Sequence, residues 1–209
     1  MTKFRSSAAA ILGCAVLAGC ATSSGEPAAR VAEPGIAAAY LPLHGRIHLG
    51  LDSADGAAMV VAPGIAATNA HNSNLVDPKS VIGTVHDYDL MFFRTRRGTP
   101  PATAPVALGL PVTAYGQGGD ADLRIAHGVV REIQKCPGCT APAYFVFTNP
   151  ARGDDDAGPG FSGGPVLDAS GRLVGITFGY KDSGHQRLIY AYDMSRVRAE
   201  LSAFQKAPN

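Results

Sequence analysis

The chain has 209 residues, a formal net charge of +1 and a hydrophobic content of 46%, which is the composition of a folded globular protein and excludes a disordered one. The near-neutral charge, without a basic stripe, argues against a nucleic-acid partner. The 25 glycines and 15 prolines suit many short strands joined by tight turns, in one large domain or two small, closely packed halves.

Residues 1–19 have the layout of a secretory signal. Basic residues precede an apolar run of small side chains from Ala8 to Ala18, which is too short to span a bilayer as a mature helix. The run ends in Leu17-Ala18-Gly19-Cys20, which resembles the lipobox of bacterial lipoproteins. The resemblance implies that Cys20 is lipidated and holds the protein at a membrane surface. The alternatives are an ordinary signal cleaved near Ala18 or Ala21, or a cysteine that stands there by chance.

The segment after the signal predicts both a location and a linker. Ala21, directly after Cys20, resembles lipoproteins of the outer membrane. We therefore expect a lipid-anchored protein of the cell envelope, facing the periplasm from the outer membrane if the organism has two membranes. Residues 20–40 are rich in Ala, Ser, Pro, Gly and Glu without an apolar period, which predicts a flexible tether.

Two cysteines, Cys136 and Cys139, remain in the mature chain, in the sequence Cys-Pro-Gly-Cys. In an exported protein this pair predicts a local disulfide that fixes a turn. A redox-active pair would need a βαβ context and a helix start, and a zinc site would need two further ligands at suitable spacing. We expect neither, and no other metal or cofactor.

From Leu43 onward, short apolar or alternating runs are broken by Gly, Pro, Asp and Asn. These runs predict strands at residues 45–49, 57–61, 65–69, 81–86, 90–95, 112–115, 125–133, 144–148, 164–167, 173–179 and 188–192. The proline-rich segment 99–105 divides them into two groups.

Met194, Val197, Leu201 and Phe204 have the spacing of one helix face. They predict a C-terminal amphipathic helix at 193–205, capped by Asp193 or Ser195. The coarse fold is therefore an all-β domain over residues 41–209. It has two small barrels or sandwiches, at about 41–98 and 106–192, and a closing helix.

The strongest chemical signal is Gly158-Pro159-Gly160-Phe161-Ser162-Gly163-Gly164-Pro165. Glycines around a serine let the backbone turn tightly and let a substrate carbonyl approach the hydroxyl. The amides of Gly160 and Ser162 could converge as an oxyanion hole. The segment resembles the Gly-x-Ser-Gly-Gly-Pro signature of the trypsin-like serine proteases, which places the nucleophile at Ser162.

Two further segments are similar to that family. The strand ending in Thr68-Asn69-Ala70-His71 looks like the segment that presents the catalytic histidine, and Asp89 followed by an apolar strand looks like the third element of the triad. The order His71, Asp89, Ser162 is that of the chymotrypsin fold. Asp87 is the alternative to Asp89, which we prefer because the apolar run starts immediately after it.

The resemblance implies a two-barrel trypsin-like fold, a serine endopeptidase without cofactors, and proteins or peptides as substrates. It implies that Thr177, Phe178 and Gly179 pair with the substrate backbone. It places Asp156 at the floor of the specificity pocket, where it would favour Arg or Lys. The competing interpretation of Asp156 is a solvated acidic loop, 154–156.

Two functions of other classes compete with the protease. Two features depart from the family pattern: Phe161 stands where the family commonly has Asp or Asn, and His71 and Asp89 are unusually close along the chain. One alternative is therefore a binding protein that keeps the fold but has lost turnover. The other is an α/β-hydrolase esterase, because Gly160-Phe161-Ser162-Gly163-Gly164 also fits Gly-x-Ser-x-Gly. The esterase needs a helix directly after the serine, which Pro165 disfavours.

Overall fold

The structure, a computed structural model, describes residues 25–47, 52–85, 87–118, 122–135, 142–149, 156–183 and 186–206. The predicted signal, the lipobox with Cys20 and the Cys136–Cys139 pair lie outside the described residues. Within the described ranges, no helix is both long and apolar enough to cross a membrane.

Each predicted strand from Leu43 onward corresponds to an observed strand, and the structure adds a short one near the start. In chain order, β1 to β12 are Glu26–Pro27, Tyr40–Ile47, Asp52–Ala62, Ile65–Thr68, Val81–Val85, Leu90–Arg94, Pro111–Gln117, Leu123–Lys135, Pro142–Thr148, Pro165–Asp168, Leu173–Ser183 and Gln186–Asp193. Two helices, α1 at Pro34–Ala39 and α2 at Met194–Lys206, complete the fold, with 3₁₀ helices at Ala70–Leu75 and Pro78–Ser80.

The C-terminal half is a closed barrel of six strands in the order β8-β7-β10-β11-β12-β9, which β8 and β9 close by pairing with each other. The short β1 adds to the start of β8. Side chains that alternate inward along these strands fill the barrel. The core includes Phe145, Phe147, Val166, Val174 and Ile189, each at most 1% exposed.

The N-terminal half is a five-stranded sheet in the order β2-β3-β4-β6-β5. All its pairings are antiparallel, and Met59, Leu90 and Phe92 are fully buried on it. The predicted all-β architecture of two halves and a C-terminal helix is therefore confirmed. A strand, β10, follows Ser162 where an α/β-hydrolase needs a helix, so the esterase interpretation is wrong.

Helix α2 joins the two halves. Asp193 caps it, accepting hydrogen bonds from the Ser195 amide at 2.8 Å and from the Ser195 hydroxyl at 2.5 Å. The buried face carries Met194, Val197 and Leu201, as the spacing predicts. Phe204 meets Phe92 of β6 edge to face, with the ring centroids 5.8 Å apart. A helix that follows the barrel strands thus packs against the N-terminal sheet.

The tether prediction is wrong for residues 25–40, which pack against the domain. Ile36 and Ala39 of α1 are fully buried. The Ala32 amide donates a hydrogen bond to the Tyr115 hydroxyl at 3.3 Å, and that hydroxyl donates to Glu33 at 3.3 Å. The remainder of the predicted tether, 20–24, lies outside the described residues.

Candidate active site

His71 and Asp89 lie together at one end of the N-terminal sheet. Strand β4 ends at Thr68, the chain then enters the 3₁₀ helix that carries His71, and Asp89 immediately precedes β6. Strands β4 and β6 are antiparallel neighbours with Thr68 opposite Met91, so the end of one lies beside the start of the other. His71 and Asp89 can therefore contact each other although few residues separate them along the chain.

Both oxygens of the Asp89 carboxylate bind His71. Oδ2 lies 2.5 Å from the ring Nδ1, and Oδ1 accepts a hydrogen bond from the His71 amide at 2.9 Å. A carboxylate at Nδ1 favours the tautomer with the proton on Nδ1, which leaves Nε2 as the basic nitrogen. The His71 side chain is 49% exposed, so an incoming substrate can reach it. Asp89, the preferred of the two candidate aspartates, is the one that contacts His71.

The backbone of Asp89 is held from both halves of the molecule. Its carbonyl accepts a hydrogen bond from Asn69 Nδ2 at 2.8 Å, and its amide donates to the Tyr192 hydroxyl at 2.9 Å. Tyr192, on β12, stacks on Phe178 with the ring centroids 4.1 Å apart. Burial raises the pKa of Tyr192, which keeps the hydroxyl protonated. These bonds fix the Asp89 backbone, so its carboxylate can hold the His71 imidazole in one orientation.

Ser162 lies on the loop before β10, where this loop crosses onto the N-terminal sheet. Its carbonyl accepts hydrogen bonds from the Ala57 amide at 2.8 Å and from Asn72 Nδ2 at 3.1 Å. Asn72 directly follows His71, so the Ser162 loop is bonded to the segment that carries the His71 imidazole. Within the described structure, no hydrogen bond joins the Ser162 hydroxyl to the His71 ring. Such bonds are often long in free enzymes and form when substrate binds.

Two glycines let the loop follow this path. Gly160 has φ +88° and Gly163 has φ +83°, a region that residues with a Cβ rarely adopt. A Cβ at Gly160 would lie 1.6 Å from the Gln117 carbonyl oxygen, and one at Gly163 would lie 1.9 Å from that of Ala57. The amides of Gly160 and Ser162 donate no hydrogen bond to another described residue, which leaves them available to an oxyanion.

Phe161, the departure from the family pattern, is 2% exposed and packs in the barrel core. Burying an aromatic side chain contributes about 1.5–3 kcal/mol to stability. Its carbonyl accepts hydrogen bonds from the Thr177 hydroxyl and from the Gly164 amide, the latter at 2.9 Å. The loop is therefore supported by apolar packing and backbone bonds where the family commonly uses a polar side chain.

The predicted substrate strand, Thr177 to Gly179, lies in β11 beside this loop. Strand β10 pairs with β11 only as far as Ile176, and β12 covers the opposite side beyond it. Thr177 is buried, and its amide and carbonyl bond to Gly164 and Gly163 of the loop. Phe178 is the extra residue of a β-bulge between Thr177 and Gly179. The β11 backbone after Thr177 thus offers an edge to which an extended peptide can add.

A small pocket of about 10 Å³, open to solvent, is lined in part by Ser162. The residues that line it are Ala157, Gly158, Phe161, Ser162, Thr177, Gly179, Tyr180 and Ile189.

Asp156 precedes this lining and does not belong to it. It is 3% exposed, so the interpretation as a solvated loop residue is wrong for Asp156. Burial raises the pKa of Asp156 to about 6, although the positive charge of Arg187 acts in the opposite direction. Arg187 Nη1 donates a hydrogen bond to the Ala157 carbonyl at 3.3 Å, and its Nε donates to Asp182 at 2.8 Å. Charged side chains of both signs therefore lie near Ala157, but none of them lines the pocket.

Sequence reasoning did not identify Asn69, Asn72 or Tyr192, which position the backbones of Asp89 and Ser162. Each contact joins residues far apart along the chain, so no local pattern marks it. Among the described residues, no three His, Cys, Asp or Glu side chains are grouped closely enough to hold a metal ion.

Comparisons with known proteins agree with this geometry. A sequence profile described as the trypsin-like peptidase domain matches residues 51–176. No curated protein sequence matches the chain significantly. The active form of the Rv3671c protease from M. tuberculosis is 20% identical, with 82% of this chain and 82% of that chain covered and a TM-score of 0.61.

Two other similar structures are longer proteins. The HtrA-type protease AlgW with tripeptide is 17% identical over 81% of this chain and 61% of that chain, with a TM-score of 0.62. The serine endoprotease from Yersinia pestis is 17% identical over 81% of this chain and 64% of that chain, with a TM-score of 0.61. At these identities the similarity shows a shared fold alone.

Proposed function

Because the chain belongs to the family of trypsin-like peptidase domains, we propose that it is a serine endopeptidase that cleaves proteins through an acyl-enzyme. The observation that carries the proposal is the His71–Asp89 pair, exposed at the edge of the sheet onto which the Ser162 loop is bonded. Nucleophilic catalysis by a serine hydroxyl requires an imidazole that a carboxylate orients, and this pair supports that role for His71 and Asp89.

The proposed reaction begins with attack of Ser162 Oγ on the carbonyl carbon of the substrate. His71 Nε2 takes the hydroxyl proton, and Asp89 stabilises the imidazolium that results. The amides of Gly160 and Ser162 donate to the oxyanion of the tetrahedral intermediate. The intermediate collapses, His71 gives its proton to the leaving amine, and an acyl ester on Ser162 remains. Water, deprotonated by His71, then releases the acid and regenerates the hydroxyl.

Hydrolysis of casein by the full-length protein tests the proposal. We expect peptide release that a serine-directed phosphonate inhibitor stops. The alternative, a binding protein without turnover, predicts that the folded protein leaves casein intact with or without the inhibitor. The support that Phe161 gives the loop and the contact between His71 and Asp89 favour turnover over this alternative.

We further propose that the pocket takes small uncharged side chains rather than Arg or Lys at the residue before the scissile bond. None of the residues that line it is charged, and the positive charge of Arg187 counteracts that of Asp156. We expect kcat/KM for peptides with Ala or Val there to exceed that for Arg or Lys by at least about 10-fold, because a buried charge without a partner is costly. Matched chromogenic peptides measure the ratio.

The Asp156→Asn variant is the matched control for this preference. If Asp156 does not contact substrate, kcat/KM for the Arg peptide stays as low as in the wild type. Preference for Arg in the wild type, abolished in the variant, would contradict the small-residue pocket and restore Asp156 as the specificity residue.

We also propose that Cys20 is acylated and that the enzyme acts at the cell envelope. The support is the lipobox resemblance of Leu17-Ala18-Gly19-Cys20. We expect the full-length protein, produced in a bacterium that processes lipoproteins, to incorporate alkyne-palmitate and to sediment with membranes. Cys20→Ala should lose both properties, whereas Cys14→Ala should retain them. Label that persists in the Cys20 variant would contradict the anchor.

A further inference from the structure

We propose that Asn72 is a positioning residue that fixes the Ser162 loop to the segment carrying His71, an inference that rests on the proposed peptidase function. Asn72 follows His71 on the 3₁₀ helix, and it is 4% exposed. Its side-chain amide donates to the Ser162 carbonyl at 3.1 Å and to the Thr68 hydroxyl at 3.0 Å. An amide group has two hydrogens, so both are used.

The two bonds close a network that includes both sides of the active site. The Thr68 hydroxyl donates to the Ala57 carbonyl at 2.7 Å, and the Ala57 amide donates to the Ser162 carbonyl at 2.8 Å. The ring of bonds therefore runs through Asn72, Thr68, Ala57 and Ser162. Gly56 leaves the space for it, because a Cβ there would lie 2.7 Å from Asn72 Nδ2. Buried networks in which every donor is satisfied hold their members in one arrangement.

Asn72 has a role that the hydrogen bond from the Ala57 amide to the Ser162 carbonyl does not supply by itself, because Asn72 is next to His71. Ser162 belongs to a barrel loop, whereas His71 belongs to the N-terminal sheet, and the two must be placed accurately relative to each other. Asn72 bonds the Ser162 backbone from the residue next to His71, so a shift of either segment moves the other. A displacement of about 1 Å between catalytic groups can cost about 100-fold in rate.

Asn72→Asp tests the inference, because it keeps the size of the side chain and replaces both donor hydrogens by an acceptor facing the Ser162 carbonyl. The control is Asn74→Asp, which makes the same charge change at an exposed position of the same 3₁₀ helix. The measurements are the burst titre of active sites, kcat per titrated site, KM and Tm. We expect kcat per titrated site to fall by at least about 10-fold in Asn72→Asp, with KM within about twofold of the wild type. Asn74→Asp should match the wild type.

A lower titre or Tm with unchanged kcat per titrated site would show that Asn72 only stabilises the fold, and would overturn the inference. If Asn72→Asp does not fold, Asn72→Ser, which removes the amide and leaves one shorter donor, is measured in the same way with the same criterion. A wild-type protein that shows no burst would instead contradict the peptidase function itself, so the two failures are distinguishable.

Discussion

Ser162→Ala is expected to abolish peptide hydrolysis while leaving the protein folded. Only the hydroxyl group of a half-buried side chain is removed. The backbone carbonyl of residue 162 stays hydrogen-bonded to Ala57 and Asn72. A change of this kind typically alters stability by no more than about 0.5 kcal/mol. The loss of the nucleophile, in contrast, costs up to about 10⁶-fold in kcat in serine proteases. Initial rates on a chromogenic peptide and the Tm of both proteins measure the two effects.

The matched control for this variant is Ser170→Ala, which removes a hydroxyl from the exposed turn between β10 and β11. It should retain the wild-type kcat. Hydrolysis by Ser162→Ala at the wild-type rate would show that another group, or a contaminating protease, carries the activity.

Asp89→Asn is expected to reduce kcat by about 10⁴-fold at neutral pH, with the His71 segment still in place. The carboxylate accepts hydrogen bonds from both the ring and the amide of His71. An asparagine amide facing Nδ1 would donate to the ring, which moves the ring proton to Nε2 and removes the base that Ser162 needs. Steady-state kinetics on the same peptide give the ratio.

Asp87→Asn separates this effect from a general change of charge near the histidine. Asp87 is exposed and is not a hydrogen-bond partner of His71. Its variant should keep kcat within about threefold of the wild type, because surface charges at such positions are screened by solvent. Equal losses in the two variants would contradict the specific role of Asp89.

The strands were predictable because their signals are local. The run from Leu90 to Arg94 is apolar and rich in aromatics, and the turn at Ala169-Ser170-Gly171 separates two β-rich segments. Alternation, turn residues and helical spacing each act over a few residues, and tertiary packing did not override them here. The cap of α2 illustrates the limit, because sequence offered both Asp193 and Ser195 and only the contacts identified Asp193.

The packing of residues 25–40 was not predictable from composition. Alanines and prolines in this segment suit a flexible linker as well as a short helix, and the deciding interactions are with the distant Tyr115 and the start of β8. The segment follows the domain surface because Ile36 finds a buried site there, which no local period reveals.

The residues of the candidate active site also differ in how well the sequence could identify them. Ser162 and His71 stand in short motifs whose residue types the chemistry requires, so the sequence around them was enough to select them as candidates. Asp89 and Asp87 could be separated by pattern only weakly, and the hydrogen bonds to His71 distinguish them. Asn72, which bonds a carbonyl in the other half of the molecule, had no sequence signal at all.

Covalent labelling by a fluorophosphonate, located by mass spectrometry, tests most directly whether an imidazole activates one serine of this chain. A single adduct on the peptide containing Ser162, formed by the wild type and lost in His71→Ala, is the predicted result. A folded wild-type protein that takes no label, or takes it on another serine, would contradict the account.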